Sequence, residues 1–409
     1  MKAASASGGA CLSMAIAAAI AGSFDAHAAE SSVNLADALS LEPPQWMFDN
    51  YEVNLGGLAG GALFRSSQEA GPVYPMGYGP TRGSGELSSN IRVQRTLDNG
   101  MVLGARSDFL LYHDRLSGDI YDNDTVEKFY LFAQTGFGQV GVGQQDGAAY
   151  TLALTGPAID RQVTLDSRRI SLFRNPLTGR DFGQFFKQVT AVQSTSNYAK
   201  LDYFSPRLFG IQIGASFTPE TVRTPLPWTG NPENTPDQQH NIWEVAASYT
   251  GYVLSNLALG VSAGFAQGYL ARATSSGADL YDWSVGAQLA YTLSDVKVSF
   301  GGAYRATDAY LLNVGEVLQG SKTEAAHFSA TAERGSWRLG IESANAAVNG
   351  PVDYRIAGYE TALGYDLNQN LELTGGWQWY DYARNAGTFY NGRPAIRMNA
   401  GFLAIAYAL

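Results

Sequence analysis

Three short patterns in the chain hold residue types that catalyse reactions or bind ligands in other proteins. His327 and Ser329 lie two residues apart, so on one strand they would share a face as a general base and a nucleophile. Residues 136–141 read G-x-G-x-x-G, a spacing that holds phosphates where a strand leads into a helix. Residues 119–127 offer four carboxylates and one amide oxygen, which are ligands that calcium prefers. What each pattern does depends on the element that positions it.

The commonest pattern in the chain is an alternation of apolar and polar residues. Between Trp243 and Thr250, one face would carry Trp, Val, Ala and Tyr, and the other Glu, Ala, Ser and Thr. The same period of two returns from Tyr51 to Leu409, and its second face is too consistently polar or small to form the core of a soluble sandwich. A closed barrel in a membrane, filled with water, reverses the usual inside and outside. The sequence therefore predicts an all-β fold, a transmembrane antiparallel β-barrel.

Sixteen alternating runs are bounded by turn residues, and a single-chain bacterial barrel requires an even number. The predicted strands lie near residues 51–64, 85–97, 101–111, 125–135, 137–145, 197–204, 209–219, 241–254, 257–271, 279–293, 296–307, 323–333, 336–347, 354–367, 371–383 and 395–408. Short connectors such as 98–100 and 255–256 alternate with longer ones. This parity is expected of a periplasmic and an extracellular rim.

The N-terminal region has the features of an export signal. Lys2 precedes a weakly apolar run of small residues, and Ala26-His27-Ala28 is typical of a cleavage site, so residues 1–28 are predicted to be a signal peptide. Residues 29–50 would form a short lead-in, and residues 51–409 the barrel. The single cysteine, Cys11, lies in the predicted signal, so disulfides are not expected to hold the exported protein together.

The composition argues against several partners. The formal net charge is -10, so there is no basic surplus to neutralise phosphates, and no nucleic acid is expected as a partner. The histidines are too scattered along the sequence to suggest a metal-ligand set, and we expect no metal and no cofactor. The 46 glycines and 23 tyrosines fit a barrel with small lumen-facing residues and aromatic girdles.

Two segments carry a family resemblance. Residues 129–145 read FYLFAQTGFGQVGVGQQ, and residues 197–219 read NYAKLDYFSPRLFGIQIGASFTP. They resemble, respectively, the hairpin before the third loop and the strand, Ser-Pro turn and strand after it in the general diffusion porins of Gram-negative bacteria. With the strand count, the resemblance covers essentially the whole chain after residue 28.

The resemblance implies a homotrimer of sixteen-stranded barrels in the outer membrane. In this family the third extracellular loop folds inward and narrows the pore, with basic wall residues facing acids on the loop. Here the third long loop runs from about Ala148 to Ser196, a length that is usually functional. The Pro-Glu-Phe-Gly-Gly-Asp stretch of enteric members is absent, so the tip of the constriction is not assigned.

Charged residues in this loop and on the facing wall are the candidate constriction. The loop has three acids and six bases, and the wall bases are placed by strand and face. The candidates are Asp160, Arg161, Asp166, Arg168, Arg169, Arg174, Arg180, Asp181 and Lys187 in the loop, and Arg92, Arg106 and Lys128 on the wall. Two interpretations are open: these charges make a transverse field that disfavours bulky apolar solutes, or they form salt bridges that hold the loop to the wall.

A barrel fold also changes how the three short patterns described first are interpreted. No helix follows 136–141, so turn and lumen glycines explain it better than dinucleotide binding. His327 and Ser329 resemble the His-x-Ser of outer-membrane phospholipases, but the alternation turns them toward the lumen, away from lipid. The acids of 119–127 are interpreted as solvated loop residues, and a role at a subunit interface stays open.

The resulting hypothesis is an outer-membrane porin for passive diffusion of ions and small hydrophilic solutes. An alternative is a channel that prefers small anions or sugars, and the basic surplus of the third loop motivates the anion version. A hydrolase is a remote alternative. The expected partners are outer-membrane lipid, the permeating solutes and two further copies of the chain.

Overall fold

A computed structural model describes residues 46–48, 50–69, 80–113, 126–165, 189–195, 197–221, 239–270, 279–308, 322–349, 354–368, 370–384 and 395–408. The strands in this part of the chain belong to one antiparallel sheet. A single four-residue helix, α1, spans Ala148–Thr151 within the same described residues. None of the helices described is long and apolar enough to cross a membrane.

The described residues form seventeen strands. They are β1 Trp46–Phe48, β2 Tyr51–Gln68, β3 Thr81–Thr96, β4 Val102–His113, β5 Val126–Thr135, β6 Gly138–Gln144, β7 Ala199–Phe204, β8 Ile211–Glu220, β9 Gln239–Leu254, β10 Leu257–Leu270, β11 Asp279–Leu293, β12 Val296–Thr307, β13 Lys322–Arg334, β14 Trp337–Asn349, β15 Tyr354–Asp366, β16 Leu371–Arg384 and β17 Ala395–Ala408. Strands β2 to β17 match the sixteen predicted strands, and their ends differ by at most four residues.

The sheet closes on itself. Each strand from β2 to β16 pairs with the next one along the chain, and β17 returns to pair with β2 from Met398↔Gln68 to Ala408↔Leu58. Closure leaves no long sheet edge exposed. A sheet in a membrane requires this, because hydrocarbon cannot form hydrogen bonds with unpaired backbone N–H and C=O groups. The predicted sixteen-stranded barrel is confirmed.

One short strand was not predicted. Residues 46–48 fall in the predicted lead-in, but they form β1, which pairs with the first residues of β2 from Trp46↔Val53 to Phe48↔Tyr51. The reason lies in the length of β17, whose described pairing with β2 ends opposite Leu58. The start of β2 extends past that point, and β1 covers its backbone groups there.

The outer face of the barrel is apolar, as the alternation predicts. Trp243 and Val245 on β9 are exposed, whereas Glu244 between them is 1% exposed and lies inside. Aromatic side chains cluster on this outer face, with Phe217 and Trp243 packed at a ring distance of 4.5 Å. Such a surface is stable against lipid rather than water.

The inner face is not uniformly polar, and this part of the sequence prediction is wrong. Large buried apolar side chains point inward on the strands that close the ring. They pack into a group that we call the inner apolar cluster, whose larger members are Phe64, Ile159, Val163, Ile356, Tyr382, Ile396, Met398 and Phe402. Two of these, Ile159 and Val163, belong to the loop between β6 and β7, so the cluster joins that loop to the wall.

Candidate pore constriction

The described part of the third loop, between β6 and β7, lies against the inner wall of the barrel. After α1, the Leu154 amide donates to Ser262 Oγ on β10 at 2.8 Å, and Gln288 Nε2 on β11 donates to Thr155 O at 2.6 Å. Farther along, Ser329 Oγ on β13 donates to the carbonyl of Pro157 at 2.7 Å. The loop therefore crosses the wall strand by strand.

Inward glycines allow this close approach. A Cβ at Gly286 on β11 would lie 1.7 Å from Leu154 O, and a Cβ at Gly340 on β14 would lie 2.4 Å from Ile159 Cγ1. Both distances are shorter than any real contact, so these positions have no room for a side chain. At these two positions the lumen glycines expected from composition are packing sites for the loop.

Both ends of the loop are tied to the wall by two charged residues. Glu244 on β9 accepts hydrogen bonds from the Ala149 amide at 3.0 Å and from the Thr195 hydroxyl, which belong to the outgoing and the returning part of the loop. Lys200 on β7 donates to the carbonyls of Gln145 at 2.6 Å and Thr195 at 3.3 Å. We call this arrangement the root clamp. A carboxylate and an ammonium group make stronger hydrogen bonds than neutral groups would.

A second set of contacts holds the loop farther along its course. Glu342 on β14 accepts from the Thr164 hydroxyl and from the Leu165 amide, each at 3.0 Å. Arg161 Nε lies 3.4 Å from Glu372 Oε2 on β16. Inner-wall acids thus bind loop backbone and loop cations. Sequence reasoning did not select Glu244, Lys200, Glu342 or Glu372, although Glu244 and Glu342 are each followed by small inward residues.

Two of the predicted loop candidates are described, and both act within these contacts. Asp160 is 2% exposed, and its Oδ1 accepts from the amides of Gln162 at 2.8 Å and Val163 at 2.5 Å. Burial, together with the nearby carboxylates of Glu372 and Glu342, raises the pKa of Asp160 well above its usual range. The remaining loop candidates, Asp166, Arg168, Arg169, Arg174, Arg180, Asp181 and Lys187, lie outside the described residues.

The three predicted wall cations all point inward but differ in their surroundings. Arg106 is 9% exposed, and its Nε lies 2.8 Å from Asp108 Oδ1. Lys128 is 8% exposed, and its Nζ lies 2.5 Å from Asp146 Oδ2, at the start of the third loop. The Lys128 ion pair joins the wall to the start of the loop, as the salt-bridge interpretation expects, whereas the Arg106 ion pair lies within β4 and does not involve the loop.

Arg92 on β3 is only half-buried. Its Nε donates to Gln94 Oε1 at 3.0 Å, and its guanidinium carbon lies 4.5 Å from the centroid of the Phe132 ring. Gln94 in turn donates from Nε2 to Glu52 Oε2 at 2.6 Å. A guanidinium stacked on an aromatic face is held in one orientation while part of it stays accessible to water.

The His327 and Ser329 pair is covered by the loop. The Ser329 hydroxyl donates a hydrogen bond to Pro157 O. The loop lies so close that a Cβ on Gly156 would be 2.2 Å from Ser329 Oγ. His327 Nε2 lies 3.6 Å from Glu342 Oε2, so an acid that the sequence did not indicate stands beside the imidazole. The pair faces the lumen as predicted, and residues 119–125 of the acidic segment lie outside the described residues.

Comparison with known proteins gives matches along most of the chain. A family model described as Gram-negative porin matches residues 13–392. Among solved structures, an anion-selective porin from Comamonas acidovorans is 14% identical, with 88% of this chain and 100% of that chain covered and a TM-score of 0.53. Outer-membrane expressed OmpT of Vibrio cholerae is 11% identical, with 90% and 100% covered and a TM-score of 0.54. OmpT of Vibrio cholerae in a trimer form is 14% identical, with 88% and 100% covered and a TM-score of 0.51.

No curated protein sequence matches the chain. At these identities the solved structures show a shared fold, and the family model extends over far more than half of the sequence. The closed barrel of β2 to β17 agrees with both. The chain therefore belongs to the Gram-negative porin family, whose members form channels for passive diffusion across the outer membrane.

Proposed function

We propose that this porin conducts ions and small hydrophilic solutes through a water-filled lumen, without a cofactor and without a chemical step. The observation that carries the proposal is the closed ring of β2 to β17 with the described part of the third loop held along one side of its inner wall. Such a loop narrows the barrel while leaving its polar inner groups to exchange hydrogen bonds with passing solutes. Flux then depends on weak contacts, because a tightly bound solute would not leave.

Reconstitution into a planar lipid bilayer tests this proposal. The purified, folded protein is expected to give stepwise increases in current, each step being one inserted channel that stays open at low voltage. Heat-unfolded protein in the same detergent serves as the control. Folded protein that inserts, as shown by protease protection, yet leaves the membrane electrically silent would contradict the proposal.

We further infer that the chain is not a hydrolase. Ser329 donates its hydroxyl hydrogen to a loop carbonyl, and a nucleophile needs that hydrogen directed at its base. We expect no lipid cleavage that depends on this residue. Phospholipase activity that is present in the natural protein and lost in Ser329→Ala would overturn this inference.

A channel that prefers small anions is the second candidate. The basic surplus of the third loop favours it, since six bases and three acids occur between 148 and 196. We predict that the loop charges between 166 and 188 contribute to the constriction. Reversal potentials in a salt gradient test this candidate, because neutralising Arg168, Arg169 and Arg174 together should reduce anion preference. A natural protein that is clearly cation-selective would exclude it.

We also propose that the protein assembles as a homotrimer. One of the similar solved structures is described as a trimer form, and the large exposed apolar area of the barrel exterior needs cover from lipid or from other subunits. Sedimentation in detergent of matched density gives the protein mass directly. A mass of one chain under mild detergent would contradict the trimer.

A further inference from the structure

Arg338 on β14 contacts groups from four other segments, at the end of the barrel where the short turns lie. Its Nη1 donates to Glu372 Oε2 on β16 at 3.0 Å and to the carbonyl of Ile159, in the third loop, at 3.3 Å. Its Nε lies 3.7 Å from Glu333 Oε1 on β13, and its Nη2 lies 3.7 Å from Asp366 Oδ2 on β15. Three other strands and the loop therefore meet at this side chain, which sequence reasoning did not select.

These contacts run from a buried site to an accessible one. The side chain of Glu372 is 2% exposed, and its Oε2 also lies 3.4 Å from Arg161 Nε in the loop. The side chains of Glu333 and Asp366 are 23% and 33% exposed and lie at the ends of their strands, next to the short turns. Arg338 therefore joins the buried loop contact to the mouth of the barrel.

The loop residue that Arg338 holds also packs against the wall. Ile159 is fully buried, and a Cβ at Gly340, two residues after Arg338 on β14, would lie 2.4 Å from its Cγ1. Apolar packing is non-directional, so it holds the loop against β14 without fixing where along the wall the loop lies. A hydrogen bond requires its donor and acceptor to be aligned, so the bond from Arg338 to Ile159 O supplies the direction that the packing lacks.

This set of contacts requires a guanidinium. An arginine carries five N–H donors in a planar fork, whereas a lysine carries one ammonium nitrogen on a flexible chain. Here the three guanidinium nitrogens lie near three different carboxylates, and one nitrogen also reaches the loop carbonyl. The charge of Arg338 and the geometry of its fork are therefore separate properties, which a substitution by lysine would divide.

We propose that Arg338 is the positioning residue of the third loop, and that its fork sets the width of the constriction by fixing the loop at Ile159. This inference rests on the proposed channel function and adds the residue that determines the size limit for hydrophilic solutes. Loss of the fork leaves the loop packed on the wall but able to shift along it, so a larger solute passes. Loss of the positive charge acts on ion selectivity instead.

A buried thiol reports on the position of the loop without any current. Cys11 is the one cysteine of the sequence and lies in the predicted signal peptide, so Ser329→Cys gives a single thiol in the exported chain. Ser329 is fully buried against the carbonyl of Pro157, two residues before Ile159. The probe is a charged methanethiosulfonate. The cysteine thiolate attacks its sulfenyl sulfur, a disulfide forms, methanesulfinate leaves with the electron pair, and the thiol proton passes to buffer.

Labelling of the folded barrel is followed by mass spectrometry of the intact protein. The thiol at position 329 should react slowly beside the natural Arg338, faster in an Arg338→Gln background, and completely in both after unfolding. Arg334→Gln is the matched control and should leave labelling slow, because Arg334 lies at the same end of the barrel but is 72% exposed and pairs with Asp295. Equal labelling rates in the natural and the Arg338→Gln backgrounds would overturn the proposal. If Arg338→Gln does not fold, Arg338→Lys replaces it with the same expected increase.

The size limit of the open channel is the second measurement. Polyethylene glycols of graded size lower the single-channel conductance when they enter the pore, so the size at which they are excluded reports width rather than charge. Arg338→Gln should raise this exclusion size, and Arg334→Gln should leave it unchanged. Arg338→Lys should keep the natural reversal potential in a salt gradient but share the raised exclusion size of Arg338→Gln. A natural exclusion size in Arg338→Gln, or its full recovery in Arg338→Lys, would overturn the role of the fork.

Thiol labelling and channel recording fail independently. Faster labelling at position 329 in an Arg338→Gln barrel that does not conduct, like the natural barrel, would count against the channel function and not against the positioning role. A conducting barrel whose labelling rate and exclusion size are the same with and without Arg338 would overturn the positioning role and leave the channel function in place.

Discussion

The inner faces of β3 and β17 follow the same alternation but are used in opposite ways. On β3 the inward side chains are polar and half-buried, and on β17 they are apolar or small and buried, from Ile396 and Met398 to Phe402 and Ala406. The two strands have the same periodicity, but β3 forms a wall of partly accessible polar side chains, the hydrated wall, and β17 forms a wall of buried apolar side chains, the packed wall. Period-2 alternation identifies which residues face inward, but it does not say what meets them there.

The packed wall holds the third loop in place through apolar contacts. Ile159 and Val163 pack into the inner apolar cluster, and burial of such side chains is favourable by about 1.5 to 3 kcal/mol each. The root clamp and Glu342 add charge-assisted hydrogen bonds to the loop backbone. Apolar packing and these bonds together hold the described part of the loop against the wall. The inward side chains of β3 from Ser84 to Gln94 are half-buried by contrast.

Removing the largest apolar contact on the packed wall should have the largest effect. Phe402→Ala leaves a cavity beside Phe64, whose ring centroid lies 6.1 Å from that of Phe402. Such truncations cost about 3 to 5 kcal/mol of unfolding free energy. Urea titration of the folded fraction, read from the gel mobility of unheated samples, measures the change.

Leu403→Ala is the matched control for that prediction, because Leu403 is the next residue and is 68% exposed on the outer face. Lipid or detergent tails can replace its contacts, so the loss should be much smaller. Equal losses in the two variants would mean that the inner apolar cluster does not contribute to the stability of the barrel.

Breaking the root clamp should have the next largest effect. Glu244→Ala leaves the Ala149 amide and the Thr195 hydroxyl without their acceptor inside a buried site. Loss of hydrogen bonds to a charged group costs about 1.5 to 3 kcal/mol each, offset in part by relaxation of the loop. Since a released loop no longer narrows the lumen, single-channel conductance should rise, which bilayer recording measures.

Glu324→Ala is the control, since this acid is exposed on the outer face of β13. It should leave both the stability and the conductance near their natural values. A Glu244→Ala channel with unchanged conductance would show that the loop keeps its place through the inner apolar cluster alone.

The sequence could supply the strands, their faces and the approximate loop bounds, because these depend on local periodicity and turn residues. It could not separate Arg92 from Arg106 and Lys128, because periodicity gives the face of a residue but not its partner, which here is Phe132, Asp108 or Asp146 respectively. It also missed that Phe402 and Met398 belong to one apolar cluster with the loop residues Ile159 and Val163, since inward apolar residues on β17 are equally expected of a closing strand. Which inward residues meet water is decided by tertiary contacts between segments far apart in the chain.

A smaller change on the packed wall should push the loop rather than release it. Gly286→Ala adds a Cβ that would lie 1.7 Å from Leu154 O, so a backbone atom must move. Forced shifts of this kind cost about 1 to 3 kcal/mol. Gly364→Ala is the control, because the nearest atom to its added Cβ, Thr374 Oγ1, lies 3.5 Å away. Urea titration should separate the two variants, and equal stability would contradict the observed contact at Gly286.

The smallest expected effect concerns pH. Because the pKa of Asp160 is raised in the folded protein, its stabilising contribution is complete below the ordinary carboxyl pKa and is lost as the pH rises through the raised value. Asp160→Asn keeps an oxygen that can accept from the Gln162 and Val163 amides but removes the charge. The variant should therefore be more stable than the natural protein at neutral pH and should lose part of the decline in stability on raising the pH.

Urea titrations across the acidic to neutral range measure the slope of the unfolding free energy against pH, with Asp381→Asn on the exposed outer face as control. An unchanged slope in Asp160→Asn would contradict a raised pKa of Asp160 in the folded protein.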